Sequence, residues 1–232
     1  MKALRRHQLA CLNETGWQQA LAQAVGGPAK ACVSHWARHR LPLVVTRQPG
    51  PGQPSGGLVA LGLPAPGRWQ RQRLALGIDL KGIAFFDEFP KASAVAKLLP
   101  RGARAPWLQL CAALDQTGAR TRVYGSHGWQ LLTGLDHLRP GSDLDVLVHV
   151  STPDEADHAA ALLTAHALTQ PVPRLDGELV FGNGAAVAWR EWSLWRAGRV
   201  NAVLVKHTRG ADLCHAEFWN TARPSPESAL PA

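Results

Sequence analysis

Residues 122–150 have the sequence RVYGSHGWQLLTGLDHLRPGSDLDVLVHV, which joins a Gly-Ser pair, a helix-sized segment and an acidic strand. The run Asp143–Val150 alternates between polar and apolar side chains over most of its length, the period expected of a half-buried strand. Asp143 and Asp145 therefore project from one face, while the residues between and after them at even positions face the other way. We expect this acidic strand to organise a mixed sheet.

The paired carboxylates predict a cation site. Asp143 and Asp145 lie two residues apart on a rigid strand, so their charges repel unless a cation lies between them. Mg²⁺ is commonly held by one or two carboxylates together with substrate phosphates. The pair therefore indicates phosphoryl or nucleotidyl transfer. A pair of solvated aspartates on an exposed edge strand is the simpler alternative.

The Gly-Ser pair supplies a phosphate-binding turn for such a site. A strand is predicted up to Tyr124 and a helix over Trp129 to Thr133, so Gly125 and Ser126 fall at the turn between them. Backbone N–H groups at a helix N-terminus can donate hydrogen bonds to a phosphate. Glycine permits close approach of the phosphate to the backbone, and the serine hydroxyl can donate one more hydrogen bond. His127 either contacts the same phosphate or is solvated. Gly-Ser or Asp-x-Asp alone is a weak signal, whereas the combination is stronger.

The combination resembles the polymerase-β-type nucleotidyltransferase superfamily. The fuller pattern Tyr124-Gly-Ser-His-Gly-Trp-Gln130, Leu132-Thr-Gly134 and Ser142-Asp-Leu-Asp145 is narrower. It resembles malonate decarboxylase holo-acyl-carrier-protein synthase, also called phosphoribosyl-dephospho-CoA transferase. The similarity is specific over residues 122–150, good over 176–192 (DGELVFGNGAAVAWREW) and loose before residue 100.

The resemblance implies an activity and a set of site residues. The donor would be 2'-(5''-triphosphoribosyl)-3'-dephospho-CoA, and the acceptor a serine of the apo acyl-carrier subunit of malonate decarboxylase. Asp143 and Asp145 would be catalytic and would bind Mg²⁺, with Asp176 or Glu178 as a third ligand and Glu191 as a further candidate. Gly125 and Ser126 would hold the departing pyrophosphate. The candidate phosphate-binding cations are Arg139, Arg190, Lys206 and Arg209.

The predicted fold is α+β, with a small N-terminal α/β domain followed by a nucleotidyltransferase-type mixed sheet flanked by helices. We predict a substrate- or partner-binding domain over residues 1–100 and a nucleotidyltransferase domain over 101–232, connected through 90–106. The N-terminal part contains a helix through Trp17, Leu21 and Val25. The predicted strands cover 41–46, 58–63, 81–86, 175–181, 185–192 and 200–205, with a hairpin at 182–184, a loop at 49–57 and helices at 108–117 and from 151 to 167.

Composition bounds the class of protein. The 232 residues are 46% hydrophobic and 18% charged, which is typical of a globular chain. The four cysteines are scattered, which argues against a zinc site or a disulfide framework. The N-terminus has no apolar signal core and no apolar run reaches membrane-spanning length, so we expect a cytoplasmic protein with no membrane contact.

The net charge of +8 leaves the function class open. A basic chain can bind nucleic acid, an acidic protein or a polyphosphate, although no run of five basic residues and no recognised motif predicts specific nucleic-acid binding. Three hypotheses remain: the carrier-protein synthase, another nucleotidyltransferase that uses an ordinary NTP on a small molecule or protein, and a non-catalytic basic module that binds nucleic acid or protein.

Overall fold

A computed structural model describes residues 4–50 and 56–215. The first half of the chain forms a five-stranded antiparallel sheet with strand order β4-β3-β2-β1-β5. Its strands are β1 (Leu9–Leu12), β2 (Leu43–Val45), β3 (Leu58–Pro64), β4 (Arg73–Asp79) and β5 (Ile83–Asp87). The predicted strands at 41–46, 58–63 and 81–86 are present, whereas β1 and β4 were not predicted.

Two helices cover one face of this sheet, α1 (Glu14–Gln23) and α2 (Gly27–His39). Alternate residues of β3, namely Val59, Leu61 and Leu63, are buried against them. The prediction of one helix through Val25 is wrong: Val25 is 86% exposed, between α1 and α2. Gly26 there has a φ of +83°, which ends the helical repeat. The opposite face of the sheet points toward the second half of the chain.

The second half forms a six-stranded mixed sheet with strand order β11-β10-β9-β8-β7-β6. Its strands are β6 (Arg120–Val123), β7 (Leu144–Val150), β8 (Leu175–Phe181), β9 (Ala186–Ala188), β10 (Val203–Lys206) and β11 (Ala211–Cys214). Only the β7–β8 pair is parallel; the other pairs are antiparallel. The predicted α+β class is confirmed.

Four helices accompany this sheet: α3 (Arg101–Gln116), α4 (Gly125–Thr133), α5 (Pro153–Thr169) and α6 (Trp189–Arg196). Helix α5 connects the two parallel strands, since a parallel pair needs a crossover. It begins at Thr152, whose side chain accepts a hydrogen bond from the Glu155 N–H, as the Ser-Thr-Pro-Asp-Glu pattern predicts. The two parallel strands therefore begin beside each other, with Asp145 and Asp176 on one face.

A further prediction along the chain is wrong. The predicted strand at 185–192 stops after β9, and α6 follows because Trp189 and Trp192, three positions apart, are buried on one helical face. The predicted connection at 90–106 contains a 3-10 helix, Ala92–Leu98, and the first turns of α3, which continue through Pro106. The division at residues 100 and 101 into two domains stays a prediction.

The two sheets contact each other through a small apolar cluster and several hydrogen bonds. Leu9, Phe89 and Trp129 are buried together. The Gln48 N–H donates to the Thr208 carbonyl at 2.8 Å. These contacts place the open face of the first sheet beside the turn that precedes α4. No helix in the described residues is long and apolar enough to cross a membrane.

Candidate functional site

The acidic residues come together where β7 and β8 run parallel. The register pairs Asp145 directly with Asp176, so both lie on the same face of adjacent strands. Asp143 lies just before β7, and the strand residues Leu144, Val146 and Val148 are buried on the opposite face, as the alternation predicts. Strand pairing therefore assembles three carboxylates from two distant parts of the sequence.

The carboxyl group of Asp145 has a strongly shifted pKa. Burial, then the negative charge of Asp176 and that of Asp143, raise the pKa of Asp145 to about 7. Among the described residues, no side chain donates a hydrogen bond to its carboxylate. A partly buried carboxylate that lies beside two others and has no side-chain donor is suited to bind a cation.

Arg174 provides a cation from within the chain. Its Nε donates to Oδ1 of Asp143 at 2.9 Å and its Nη2 to Oδ2 at 2.5 Å, while Nη2 lies 3.6 Å from Oδ2 of Asp176. This two-pronged hydrogen bond, opposed by partial burial, lowers the pKa of Asp143. The sequence pattern did not reveal Arg174. Residue 174 comes beside residue 143 only through the parallel register of β7 and β8. The Leu144 N–H extends this register by donating to the Arg174 carbonyl.

The turn at Gly125 lies against Asp145. The Tyr124 N–H donates to the Asp145 carbonyl at 3.0 Å. Gly125 has a φ of +58°, and a Cβ there would overlap Oδ2 of Asp145. Glycine is therefore required by backbone conformation and by the closeness of Asp145, a reason different from the phosphate approach on which the sequence prediction rested. Ser126 follows in the first turn of α4, so the predicted strand-to-helix turn is present, although the helix begins at Gly125.

His127 is not exposed to solvent, and it is not among the residues that line the cavity beside the Gly125 turn. It is buried, and its Nδ1 lies 2.9 Å from the carbonyl oxygen of Asp143. Because a carbonyl can only accept, Nδ1 carries the hydrogen. Burial lowers the pKa of His127, so the ring is neutral near pH 7. Its contact fixes the backbone before β7 and so the position of Asp143.

Glu178, the other candidate for a third metal ligand, is already neutralised. It is 5% exposed, its Oε1 lies 2.8 Å from Lys206 Nζ and 3.4 Å from Arg6 Nη2, and its Oε2 lies 3.3 Å from His7 Nε2. Burial opposes its ionisation, yet His7, then Lys206 and Arg6, hold the pKa of Glu178 at about 2. The contacts favour Asp176 over Glu178 as the third carboxylate.

The predicted phosphate-binding cations are dispersed. Arg139 lies beside the Gly125 turn on the wall of a cavity. Lys206 is held by Glu178. Arg190 donates to the Leu175 carbonyl at 2.9 Å and lies over the Trp189 ring, and Arg209 offers its carbonyl to Arg47. Of these four, only Arg139 lies on the wall of the cavity that contains the Gly125 turn.

A cavity of about 650 Å³ lies between the two sheets. We call it the intersheet cavity. One wall comes from β2, β3 and β4, and the other from the segment Tyr124–Ser126, Trp129 and the loop after α4. The Gly125 turn therefore faces the first sheet across a space large enough for a small-molecule substrate.

Comparison with known proteins gives matches over nearly the whole chain. A family model described as the phosphoribosyl-dephospho-CoA transferase MdcG C-terminal domain matches residues 89–217, and one described as the N-terminal domain of the same transferase matches residues 5–89. No solved structure matches.

Several curated relatives are named phosphoribosyl-dephospho-CoA transferase. The protein of Bradyrhizobium diazoefficiens is 35% identical over 190 residues, which cover 80% of this chain and 80% of that protein. The proteins of Xanthomonas axonopodis pv. citri and Xanthomonas euvesicatoria pv. vesicatoria are 35% and 36% identical, and each alignment covers 90% of this chain and 92% of the relative. The family resemblance inferred from the Gly-Ser and Asp-x-Asp motifs is thus confirmed, and the chain belongs to the phosphoribosyl-dephospho-CoA transferase family, whose members are transferase enzymes.

Proposed function

We propose that this protein attaches a phosphoribosyl-dephospho-CoA prosthetic group to the apo acyl-carrier subunit of malonate decarboxylase. The donor is 2'-(5''-triphosphoribosyl)-3'-dephospho-CoA. A serine oxygen of the carrier bonds to the α-phosphorus, the bond from that phosphorus to pyrophosphate breaks, and the hydroxyl proton passes to solvent water. The observation that carries the proposal is the pairing of Asp145 with Asp176 beside the Gly125 turn.

Magnesium suits the carboxylates of this site. Within the described residues, no group of three or more His, Cys, Asp or Glu side chains is arranged to hold a metal on its own. Mg²⁺ does not need such a cage, because it commonly binds one or two carboxylates and completes its coordination with substrate phosphates and water. Asp145, with a raised pKa and no donor, fits this demand, and Asp143 and Asp176 flank it. When bound, Mg²⁺ would neutralise charge on the phosphates and align the reacting oxygens.

The remaining roles belong to the chain itself. The N-terminus of α4, with Gly125 and Ser126, offers N–H groups and a hydroxyl to the leaving pyrophosphate. Arg139 stands near that turn and can bind a further phosphate oxygen. Arg174, once released from Asp143, can do the same. His127 acts on the reaction only by fixing the Asp143 backbone.

The carrier subunit supplies the nucleophile. Acyl-carrier proteins are generally acidic, which complements a chain of net charge +8. We therefore expect added salt to slow association with the carrier, and nucleic acid to bind weakly and without sequence preference. We place the reaction in the cytoplasm, where the carrier subunit would be made.

A matrix of donors and acceptors tests the proposal. Purified protein is incubated with Mg²⁺ and either triphosphoribosyl-dephospho-CoA or ATP, with and without apo-carrier, and released pyrophosphate is measured. Pyrophosphate should appear only with the first donor and the apo-carrier together. A carrier whose acceptor serine is replaced by alanine is the matched control. Release from ATP with equal efficiency would identify a different nucleotidyltransferase.

A further inference from the structure

The first sheet presents an open floor to the catalytic turn. In the middle of β3 and β4 the residues that face away from α1 and α2 are small: Gly62 pairs with Ala75 in the register, and Ala60 with Gly77. Gly62 and Ala75 line the intersheet cavity, and a Cβ on Gly62 would lie 2.8 Å from Thr46 Cγ2. Larger side chains at these positions would fill the space, so the floor is shaped to leave room for a flat group.

The rim of the intersheet cavity is positively charged. Arg71 and Arg73 lie on the β4 side and Arg139 on the α4 side, and no Asp or Glu is among the described residues that line the cavity. Arg71 is held in place, because its Nη1 donates to the His137 carbonyl at 3.3 Å. Three guanidinium groups without a carboxylate among the lining residues suit an anion with more than one phosphate.

The remaining walls are aromatic and apolar. Tyr124, Phe89 and Trp129 lie on the side of the Gly125 turn, and Val44 lies on the side of the sheet. Burial and then the charge of Arg71 lower the pKa of His137 to about 4, so this wall residue is neutral near pH 7. A ligand with a flat, weakly polar ring at one end and a diphosphate at the other matches these walls and this rim.

We propose that the intersheet cavity binds the adenosine 5'-diphosphate half of a dephospho-CoA-type donor. The adenine would lie on the floor formed by Gly62 and Ala75, and the 5'-diphosphate would bind Arg71 and Arg73. The inference rests on the proposed function, because the donor carries its triphosphoribosyl group on the 2'-oxygen of this adenosine. A nucleoside in this cavity directs that group toward Gly125 and Ser126, which line the same space. The first sheet thus selects the donor.

The test uses dephospho-CoA itself as the probe. It lacks the triphosphoribosyl group and cannot react, so its binding can be measured by calorimetry on the full-length protein in EDTA. We expect saturable binding with one site per chain, and binding of ADP to the same site. 4'-Phosphopantetheine, which lacks the adenosine and keeps only one of the two phosphates, should not compete at similar concentration. Competition by phosphopantetheine at similar concentration, or no binding of dephospho-CoA, would overturn the proposal.

Two variants locate the site. Ala75→Leu fills the floor from an exposed position on the edge strand β4, and Arg73→Gln removes one rim charge. Each should weaken dephospho-CoA binding about tenfold or more. For Arg73→Gln the reason is that hydrogen bonds to a charged group contribute that much. For Ala75→Leu the reason is that the leucine side chain occupies the space of the adenine. Arg199→Gln, an exposed arginine after α6, is the matched control and should leave binding unchanged. Circular dichroism and melting temperature check that the variants fold.

The outcomes separate this proposal from the proposed function. If dephospho-CoA binds and the two variants weaken it, the cavity assignment stands even where no carrier is modified by any donor. If carrier modification is observed while Ala75→Leu and Arg73→Gln leave dephospho-CoA binding unchanged, the transferase function stands and the cavity assignment is wrong.

Discussion

Replacing Asp145 with asparagine tests two properties of the acidic site: the free energy of unfolding that it costs and its role in pyrophosphate release. Asparagine has nearly the same shape but carries no charge at any pH. In the wild-type protein, burial and the charges of Asp176 and Asp143 raise the pKa of Asp145 from 3.8 to about 7. The folded state therefore binds a proton more tightly at this position than the unfolded state does.

The sign and size of the effect follow from linkage. Between pH 4 and 7 the folded protein retains a proton that the unfolded chain has lost, so this residue lowers the free energy of unfolding as pH rises. A shift of roughly three pKa units corresponds to about 4 kcal/mol once the pH exceeds 7. Between pH 5 and 8.5 the contribution changes by about 2 to 3 kcal/mol. For a chain of this size, that is roughly 5 to 10 °C in melting temperature.

The assay is thermal unfolding in EDTA at pH 5, 7 and 8.5. Asp145→Asn should melt above the wild type, with a difference that widens as pH rises, and it should release no pyrophosphate. Asp143→Asn is the matched control: it loses the Arg174 pair, so its melting temperature at neutral pH should stay level or fall. A gap between Asp145→Asn and wild type that is independent of pH would refute the electrostatic account of the site.

Three other substitutions test separate parts of the structure. The Arg174→Gln protein should bind Mn²⁺ or Mg²⁺ several-fold more tightly than wild type, measured by calorimetry in the absence of the nucleotide donor, because a cation that competes for Asp143 is removed. Unchanged affinity would mean that Arg174 does not compete with the metal for the carboxylates. Gly125→Ala should lower pyrophosphate release about 100-fold or more, whereas Gly134→Ala, also at positive φ (+69°) but with open space around its Cβ, should only reduce stability slightly; equal losses would contradict the close approach to Asp145. Glu178→Gln should lower the free energy of unfolding by about 1 to 3 kcal/mol, because it removes the charge that pairs with Arg6 and Lys206, whose side chains are 25% and 30% exposed. Glu191→Gln, whose carboxylate has only a 3.4 Å contact with the Leu204 N–H, should change it by less than about 0.5 kcal/mol, and equal denaturation midpoints would refute the role of Glu178.

Local patterns predicted the acidic strand β7 and the turn at Gly125. The alternation of Asp143–Val150 predicted which side chains are buried, and Gly125 was expected at a strand-to-helix turn. The helix start at Thr152 and the hairpin around 182–184 were also predicted, because capping and turn chemistry depend on adjacent residues. Each of these features is determined within about ten residues of sequence.

Features that depend on distant residues were not predicted. Arg174 binds Asp143 only because β8 lies parallel to β7. The helix α6 begins at Trp189 because core packing of two tryptophans outweighs the strand-like composition before it. The intersheet cavity depends on how two sheets meet, for which neither sheet carries a local signal.

The mass of the carrier subunit tests the central claim most directly. Apo-carrier is incubated with triphosphoribosyl-dephospho-CoA, Mg²⁺ and either wild-type protein or Asp145→Asn, and its intact mass is then measured. The account predicts that wild-type protein adds the mass of one phosphoribosyl-dephospho-CoA group at a serine, and that Asp145→Asn adds none. An unmodified carrier with folded wild-type protein, or full modification by folded Asp145→Asn, would contradict it.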